Sequence, residues 1–265
     1  MIKRLWFASS SYIRYLLRAK SRYVVHSPFI YNLINNVFLD NTSTDDLEKL
    51  DKTRKQIFKR TTTIETTDSG AGAGNKQYIT ITKPLGKIAK RRSLDKKHLH
   101  LLYKLTKYFK PASILEFGTS AGISASYIGK ANSFDKFITM EGCAVLAAHA
   151  KNNFTELGLP NIEIKVGHFD IILDKVLEEF EQLDLVFIDG NHRKQQTIKY
   201  FEKCLSKSHE HSIFIFDDIH WSPGMEEAWE YMIKDERVSM SIDLFKVGML
   251  FFKKGIAKQN FMIKY

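Results

Sequence analysis

From residue 113 to residue 254, short apolar runs alternate with stretches of helical periodicity, and this rhythm constrains the fold more than any other feature of the chain. The runs are SILEF (113–117), KFITM (136–140), IEIKV (162–166), LDLVFID (183–189) and SIFIFD (212–217). Candidate helices lie between them at Ile123–Ala131, Ala144–Leu157, Ile171–Glu181 and His192–Leu205. Strands separated by helices predict an α/β fold, a doubly wound and mostly parallel sheet with helices on both faces. Two further strands, VSMSIDL (238–244) and VGMLFFKK (247–254), follow the helix EEAWEYMI and are joined by Phe245 and Lys246 alone. So short a link permits only an antiparallel hairpin.

Upstream of this region the character differs. Residues 1–60 place apolar and basic side chains at helical spacing and read as a basic helical N-terminal extension, with Ser27 and Pro28 as cap and first residue of one helix. Residues 61–94 form a second region, a Gly/Thr-rich loop and connector; RTTTIETTDSGAGAGNKQ offers too few apolar side chains to bury. The third region, 95–265, opens on an amphipathic helix at 95–109 that Pro111 stops. Residues 1–110 hold 23 Lys/Arg against 8 Asp/Glu, whereas 111–265 hold 17 against 22. That basic first part suits an anionic substrate, nucleic acid, a membrane face, or simply a solvated surface. Arg14 and Arg18 interrupt the N-terminal apolar stretch, which argues against a signal peptide, and no run is long and apolar enough to be a transmembrane segment. The two cysteines, Cys143 and Cys204, read as reduced, buried thiols of a cytoplasmic protein.

Two glycine-bearing stretches compete as a nucleotide cradle. DSGAGAG (68–74) follows threonines and opens no clear helix, so it fails the test of context and reads as a lid over substrate or a plain linker. EFGTSAG (116–122) follows a strand and opens a helix, the place where a backbone can approach a ligand at a strand's carboxyl end. Glu141 ends the next strand, where a carboxylate can take both hydroxyls of a ribose. The spacing of Gly118 and Gly122 departs from the dinucleotide fingerprint, which disfavours NAD.

LEFGTSAGISASYIG, followed by ITMEG, VFIDGNH and IFDDIHW, resembles the class I S-adenosylmethionine-dependent methyltransferases. The closest branch is the catechol and caffeoyl-CoA type of O-methyltransferase, with their uncharacterised bacterial relatives. The resemblance spans roughly residues 95–254 and implies a Rossmann-like, seven-stranded sheet with the last strand antiparallel. It implies that Glu116, Gly118, Ser120 and Gly122 surround the methionine and ribose of S-adenosylmethionine. Glu141 would bind the ribose hydroxyls, Gly142 and Cys143 would lie by the adenine, and Gly167 and His168 would contact it.

Asp189, Asp217 and Asp218 end two strands that a parallel sheet would deliver to one edge, beside the cofactor. Like charges that close call for a divalent cation such as magnesium, or else one Asp caps a helix and another takes backbone amides. Related enzymes place a metal on an Asp at the first position and an Asp-Asn pair at the second; this chain has Asp-Asp. His192 stands where those relatives carry a proton-accepting lysine, and an imidazole can serve as a general base at neutral pH. His192 and His220 could alternatively ligate a softer metal or play no catalytic part. Trp221 reads as a core residue or an aromatic at the substrate entrance.

Methyl transfer to a small-molecule acceptor, with a hydroxyl as nucleophile, is therefore the leading expectation, and a homodimer is compatible with it. Two rivals stand beside it. One is RNA-directed methylation, in which Tyr12, Tyr15, Tyr23, Phe29 and Tyr31 among basic residues would stack on bases, although their helical spacing favours core packing and makes nucleic acid the weaker partner. The other is a non-catalytic adapter or membrane-surface protein that retains the fold.

Overall fold

The N-terminal segment forms α1 (Ile2–Arg18), followed by α2 (Pro28–Leu33) and a π-helical turn at Ile34–Phe38. The expected cap is present: Ser27 Oγ accepts from the Ile30 amide and Pro28 opens α2. Next come α3 (Asp45–Phe58), β1 (Thr63–Asp68), β2 (Ile79–Pro84), α4 (Leu85–Arg92) and α5 (Lys96–Phe109). The alternating region follows as β3 (Ser113–Phe117), α6 (Ile123–Ala131), β4 (Lys136–Glu141), α7 (Ala144–Leu157), β5 (Ile162–Val166) and α8 (Phe169–Glu178). It continues as β6 (Leu185–Ile188), α9 (Lys194–Leu205), β7 (Ile213–Asp217), α10 (Pro223–Met232), β8 (Met240–Asp243), β9 (Val247–Phe251) and β10 (Gln259–Met262). This computed structural model describes residues 2–21, 26–68, 70, 74 and 78–265.

The chain divides into two compact units, Met1–Phe38 with Phe180–Tyr265, and Leu39–Glu179. The first unit holds strands in the order β10-β8-β9-β7-β6, and the second holds the parallel strands β3-β4-β5. The α/β class and the closing antiparallel hairpin are as expected: β9 runs antiparallel to both β7 and β8. Among the described residues these strands number eight, one more than the seven expected. β10 pairs in parallel with β8, Gln259 opposite Met240, and extends that edge. QNFM was missed because only Phe261 and Met262 are apolar and both are merely half-buried.

The region 61–94 also departs from expectation. Instead of a loop it holds the antiparallel pair β1–β2, registered from Thr63 opposite Pro84 to Asp68 opposite Ile79, and then helix α4. Threonine is polar but β-branched, and in TIETTD it alternates: Ile64 and Thr66 are buried while Thr63, Glu65 and Thr67 are exposed. Composition had masked a period of two. Of the expected lid or linker at 68–78, Ser69, Ala71–Ala73 and Asn75–Gln77 lie outside the described residues. Tyr23, one of the aromatics considered for base stacking, lies outside them too.

Gly86 sits where α4 meets the end of α3, and a Cβ there would stand 2.2 Å from the Phe58 carbonyl oxygen and 2.9 Å from that of Arg60. Both are backbone atoms that cannot swing aside. Gly86→Ala is therefore expected to destabilise the protein by about 2–4 kcal/mol, read as a lowered urea midpoint with unchanged slope. A shift within error would show that α4 can move away freely.

Candidate active site

In the second unit β3 carries Ile114, Leu115 and Phe117 into the core, and the chain leaves it through Gly118–Gly122 into α6. Gly118, Ser120 and Gly122 all have positive φ, at 96°, 48° and 75°. At Gly122 a side chain would also meet the Phe154 ring at 2.7 Å, so both conformation and room call for glycine. The loop is held from beneath, where the Gly118 and Thr119 amides donate to the Met140 carbonyl at 3.0 and 3.1 Å. Glu116 is fully buried and accepts from Thr139 Oγ1 at 2.5 Å. With its proton so used, Thr139 accepts from Thr119 across 2.7 Å. Glu116 thus sits inside the sheet as a brace for the loop that follows it.

Glu141 ends β4 and is 7% exposed. The Ser120 amide donates to its Oε2 at 2.7 Å and the Cys143 amide to its Oε1 at 2.9 Å. Burial pushes this carboxyl up, while the Cys143 and Ser120 amides, the Arg92 charge and the Gly142 amide pull it back. Ser120 Oγ is buried with no hydrogen-bond partner among the described residues, as a group awaiting a ligand would be. Open space adjoins Gly142, where an added Cβ would meet nothing within 4 Å. Cys143 is free and buried, its Sγ 4.0 Å from the Glu65 carbonyl, in a cluster with Ile64, Leu85, Ile88 and Leu146. The β1 strand and α4 therefore wall the Cys143 side of the cradle. Gly167 donates its amide to the Glu141 carbonyl at 2.9 Å, which ties the third strand end to the second. His168 turns outward, with Nδ1 3.6 Å from Asp170.

The first unit presents a different chemistry. After β6 the DGNH turn places Asn191 and His192 at φ 67° and 49°, and His192 Nε2 lies 3.4 Å from Asp189 Oδ1. Asn191 Nδ2 donates to the Tyr200 hydroxyl at 3.1 Å, and Trp221 stands 6.2 Å from the His192 ring, centroid to centroid. Asp217 ends β7 almost wholly buried, and its Oδ1 has no hydrogen-bond partner among the described residues. Burial first, then the Asp218 and Asp189 charges, push its carboxyl well above the ordinary carboxylate range, and Lys246 offsets part of this. His220 is buried differently: Nε2 is 2.8 Å from Asp243 Oδ2, Nδ1 is 3.7 Å from Glu226 Oε1, and the ring stacks on Phe245. Among the described residues no group of three His, Cys, Asp or Glu side chains is placed to hold a metal ion.

The sign of the Asp217 shift makes a prediction. A native carboxyl with a raised pKa keeps its proton where the unfolded chain has already lost it, so stability falls as pH rises above the unfolded value. In chelator at about pH 8, Asp217→Asn should raise Tm by about 2–6 °C, and the gain should shrink as pH is lowered toward about 4. A lower Tm in the variant at pH 8 would mean that the carboxylate is held by a stabilising partner.

The structure brings Ser120, Glu141, Gly142 and Cys143 together with the Gly118–Gly122 loop, and it gathers Asp189, His192, Asp217 and Asp218 in charge range. Thr119, Thr139, Arg92 and Lys246 escaped the sequence reading. The two threonines were legible in principle, one in the glycine loop and one in the facing strand; Arg92 and Lys246 act from elements whose placement no local pattern announces.

Residues 115–219 match a family model described as a methyltransferase domain. This chain carries a methyltransferase domain. No curated protein matches the chain in sequence. Among solved structures, the O-methyltransferase from Bacillus cereus in complex with SAH is similar at a TM-score of 0.55 and 17% identity, over 84% of this chain and 97% of that one. Methyltransferase PaMTH1 of Podospora anserina, SAH-bound, gives 0.59 and 13%, over 87% and 98%. TomG of Streptomyces achromogenes, an O-methyltransferase involved in tomaymycin synthesis and solved with SAM, gives 0.57 and 17%, over 83% and 95%. At these identities the likeness is one of fold, and the fold is the Rossmann-like methyltransferase sheet. In the methyltransferase domain the matched stretch runs from within β3 to just past β7 and so includes Glu141, Asp189, His192 and Asp217.

Proposed function

We propose that this methyltransferase uses S-adenosylmethionine to methylate a hydroxyl of a small molecule. The observation that carries the reading is Glu141, a buried carboxylate with each oxygen oriented by a backbone amide at the lip of a positive-φ glycine loop. A ribose offers two adjacent hydroxyls to such a group. Gly118, Ser120 and Gly122 would hold the ribose and methionine part; Gly142, Cys143, Gly167 and His168 would border the adenine. The SAH- and SAM-bound enzymes of like fold support that cofactor.

The sulfonium arrives activated, so the protein's share is alignment and removal of the acceptor's proton. His192 takes that proton, and Asp189, 3.4 Å from its Nε2, stabilises the imidazolium so formed. As the acceptor oxygen bonds the methyl carbon, the carbon–sulfur bond breaks and its electron pair stays on sulfur. His220, committed to Asp243 and Glu226, serves as a brace. A small acceptor is favoured over RNA because Tyr15 is buried and Phe29 packs on Phe251, which removes two of the aromatics available for stacking.

A divalent cation is a separate proposal. Asp189, Asp217 and Asp218 are hard oxygen donors, yet as placed they do not form a ligand set, so no step depends on one. Incubation with methyl-tritiated S-adenosylmethionine and a panel of catechols and other hydroxylated aromatics should transfer label to at least one organic product. Label that appears only on added RNA would overturn the choice of acceptor. If EDTA removes transfer and magnesium restores it, with Asp189→Ala inert under both, the cation is needed; transfer indifferent to EDTA and magnesium discards it.

A further inference from the structure

Helix α1 has one face bound and one face bare. Ser11, Tyr15 and Ala19 are buried; the Tyr15 hydroxyl donates to the Ile263 carbonyl, Arg14 pairs with Glu226 at 3.2 Å, and Tyr12 meets the Phe245 ring edge-on. The helix is thus anchored to its own unit without using its other side. On that side Trp6 is 76% exposed, Ile13 57%, Leu16 43% and Leu17 82%, and their helical spacing places the four on one face. Burial of its opposite face already stabilises α1, so nothing in folding accounts for four large apolar side chains turned to water.

The surroundings are basic. The 17 residues of α1 include Lys3, Arg4, Arg14 and Arg18 and no Asp or Glu. At its carboxyl end, Lys20 bridges Ile263, and the Lys264 amide donates to the Lys20 carbonyl, which sets the exposed Lys20 and Lys264 side by side beyond Arg18. An apolar stripe with a tryptophan, with the exposed Arg18, Lys20 and Lys264 at its carboxyl end, complements an anionic bilayer surface: the stripe enters the headgroup boundary and the cations meet lipid phosphates. A second copy of the chain is a poorer occupant. A stable protein interface takes roughly 20–30 residues a side, against four here, and the basic edge would face its own kind. No helix among the described residues is long and apolar enough to cross a membrane, so the contact is peripheral.

We propose that α1 docks this methyltransferase on anionic membrane surfaces through Trp6, Ile13, Leu16 and Leu17. The test is co-sedimentation of the full-length protein with vesicles of phosphatidylcholine alone and of phosphatidylcholine containing about 30% phosphatidylserine. Binding is expected on the anionic vesicles only, weakened by salt, and reduced at least about tenfold in Ile13→Ser/Leu17→Ser. Both positions are exposed, so the variant should keep the wild-type Tm and SAH affinity, which separates a failed membrane contact from a failed fold. No binding to anionic vesicles at low salt, or equal binding by the variant, overturns the proposal. A wild-type dimer that the double variant converts to monomer, with no vesicle binding, assigns the stripe to a second copy and overturns it as well.

Discussion

Glu141→Ala is expected to weaken S-adenosylhomocysteine binding by at least about 100-fold, a loss readable by titration calorimetry. The magnitude follows from two charge-assisted hydrogen bonds to the ribose, each worth about 1.5–3 kcal/mol. The loss has a second part, because the carboxylate also anchors the Ser120 and Cys143 amides. Without it the Ser120 and Cys143 amides lose their acceptor before any ligand arrives, while the Met140 carbonyl still holds the loop to β4. Glu141→Gln keeps an acceptor for one of those amides but lacks the charge, so its affinity should fall between the two. Wild-type affinity in Glu141→Ala would remove the ribose assignment, and with it the main support for the cofactor.

The second large effect is on the chemical step. His192→Ala should lower kcat by about 100- to 10,000-fold and leave S-adenosylhomocysteine affinity unchanged. Loss of a base acts on the proton and not on the cofactor. The acid limb of the kcat–pH profile should flatten in the variant, and Asp189→Asn should show a smaller version of the same change, since it withdraws the charge that stabilises the imidazolium. Equal losses in kcat and in cofactor affinity would point instead to a collapse of the DGNH turn. His220→Ala makes the contrast: its ring lies between Asp243 and Glu226, so its removal should act mainly on Tm.

Much of the alternating region could be read directly from residue order. β3, α6, α7 and β5 end where the apolar runs and turn residues place them, because each is a contiguous segment buried against its neighbours. The places of the glycine loop after β3 and of Glu141 at the end of β4 were legible for the same reason, since strand ends are local. Failures cluster where the information is not local. β1 hides behind threonine's polarity; β10 exists because the β8 edge offers it a pairing partner, not because QNFM is a strong strand former. The bracing of His220 depends on Asp243, 23 residues further along the chain, and on Glu226 in the next helix, both outside IFDDIHW, so a histidine two residues past Asp218 looked as catalytic as His192.

The division of the chain into units has a bearing on how the protein is born. Leu39–Glu179 is one uninterrupted segment, whereas the other unit joins two stretches that are far apart in the sequence. In that other unit α1 takes its anchors, Glu226, Phe245 and Ile263, from segments much later in the chain. Until the segments carrying Glu226, Phe245 and Ile263 have been made, α1 lacks these anchors. A carboxyl-terminal truncation, even one that spares every residue of the glycine cradle, should leave the amino-terminal helix as the first point of proteolytic attack.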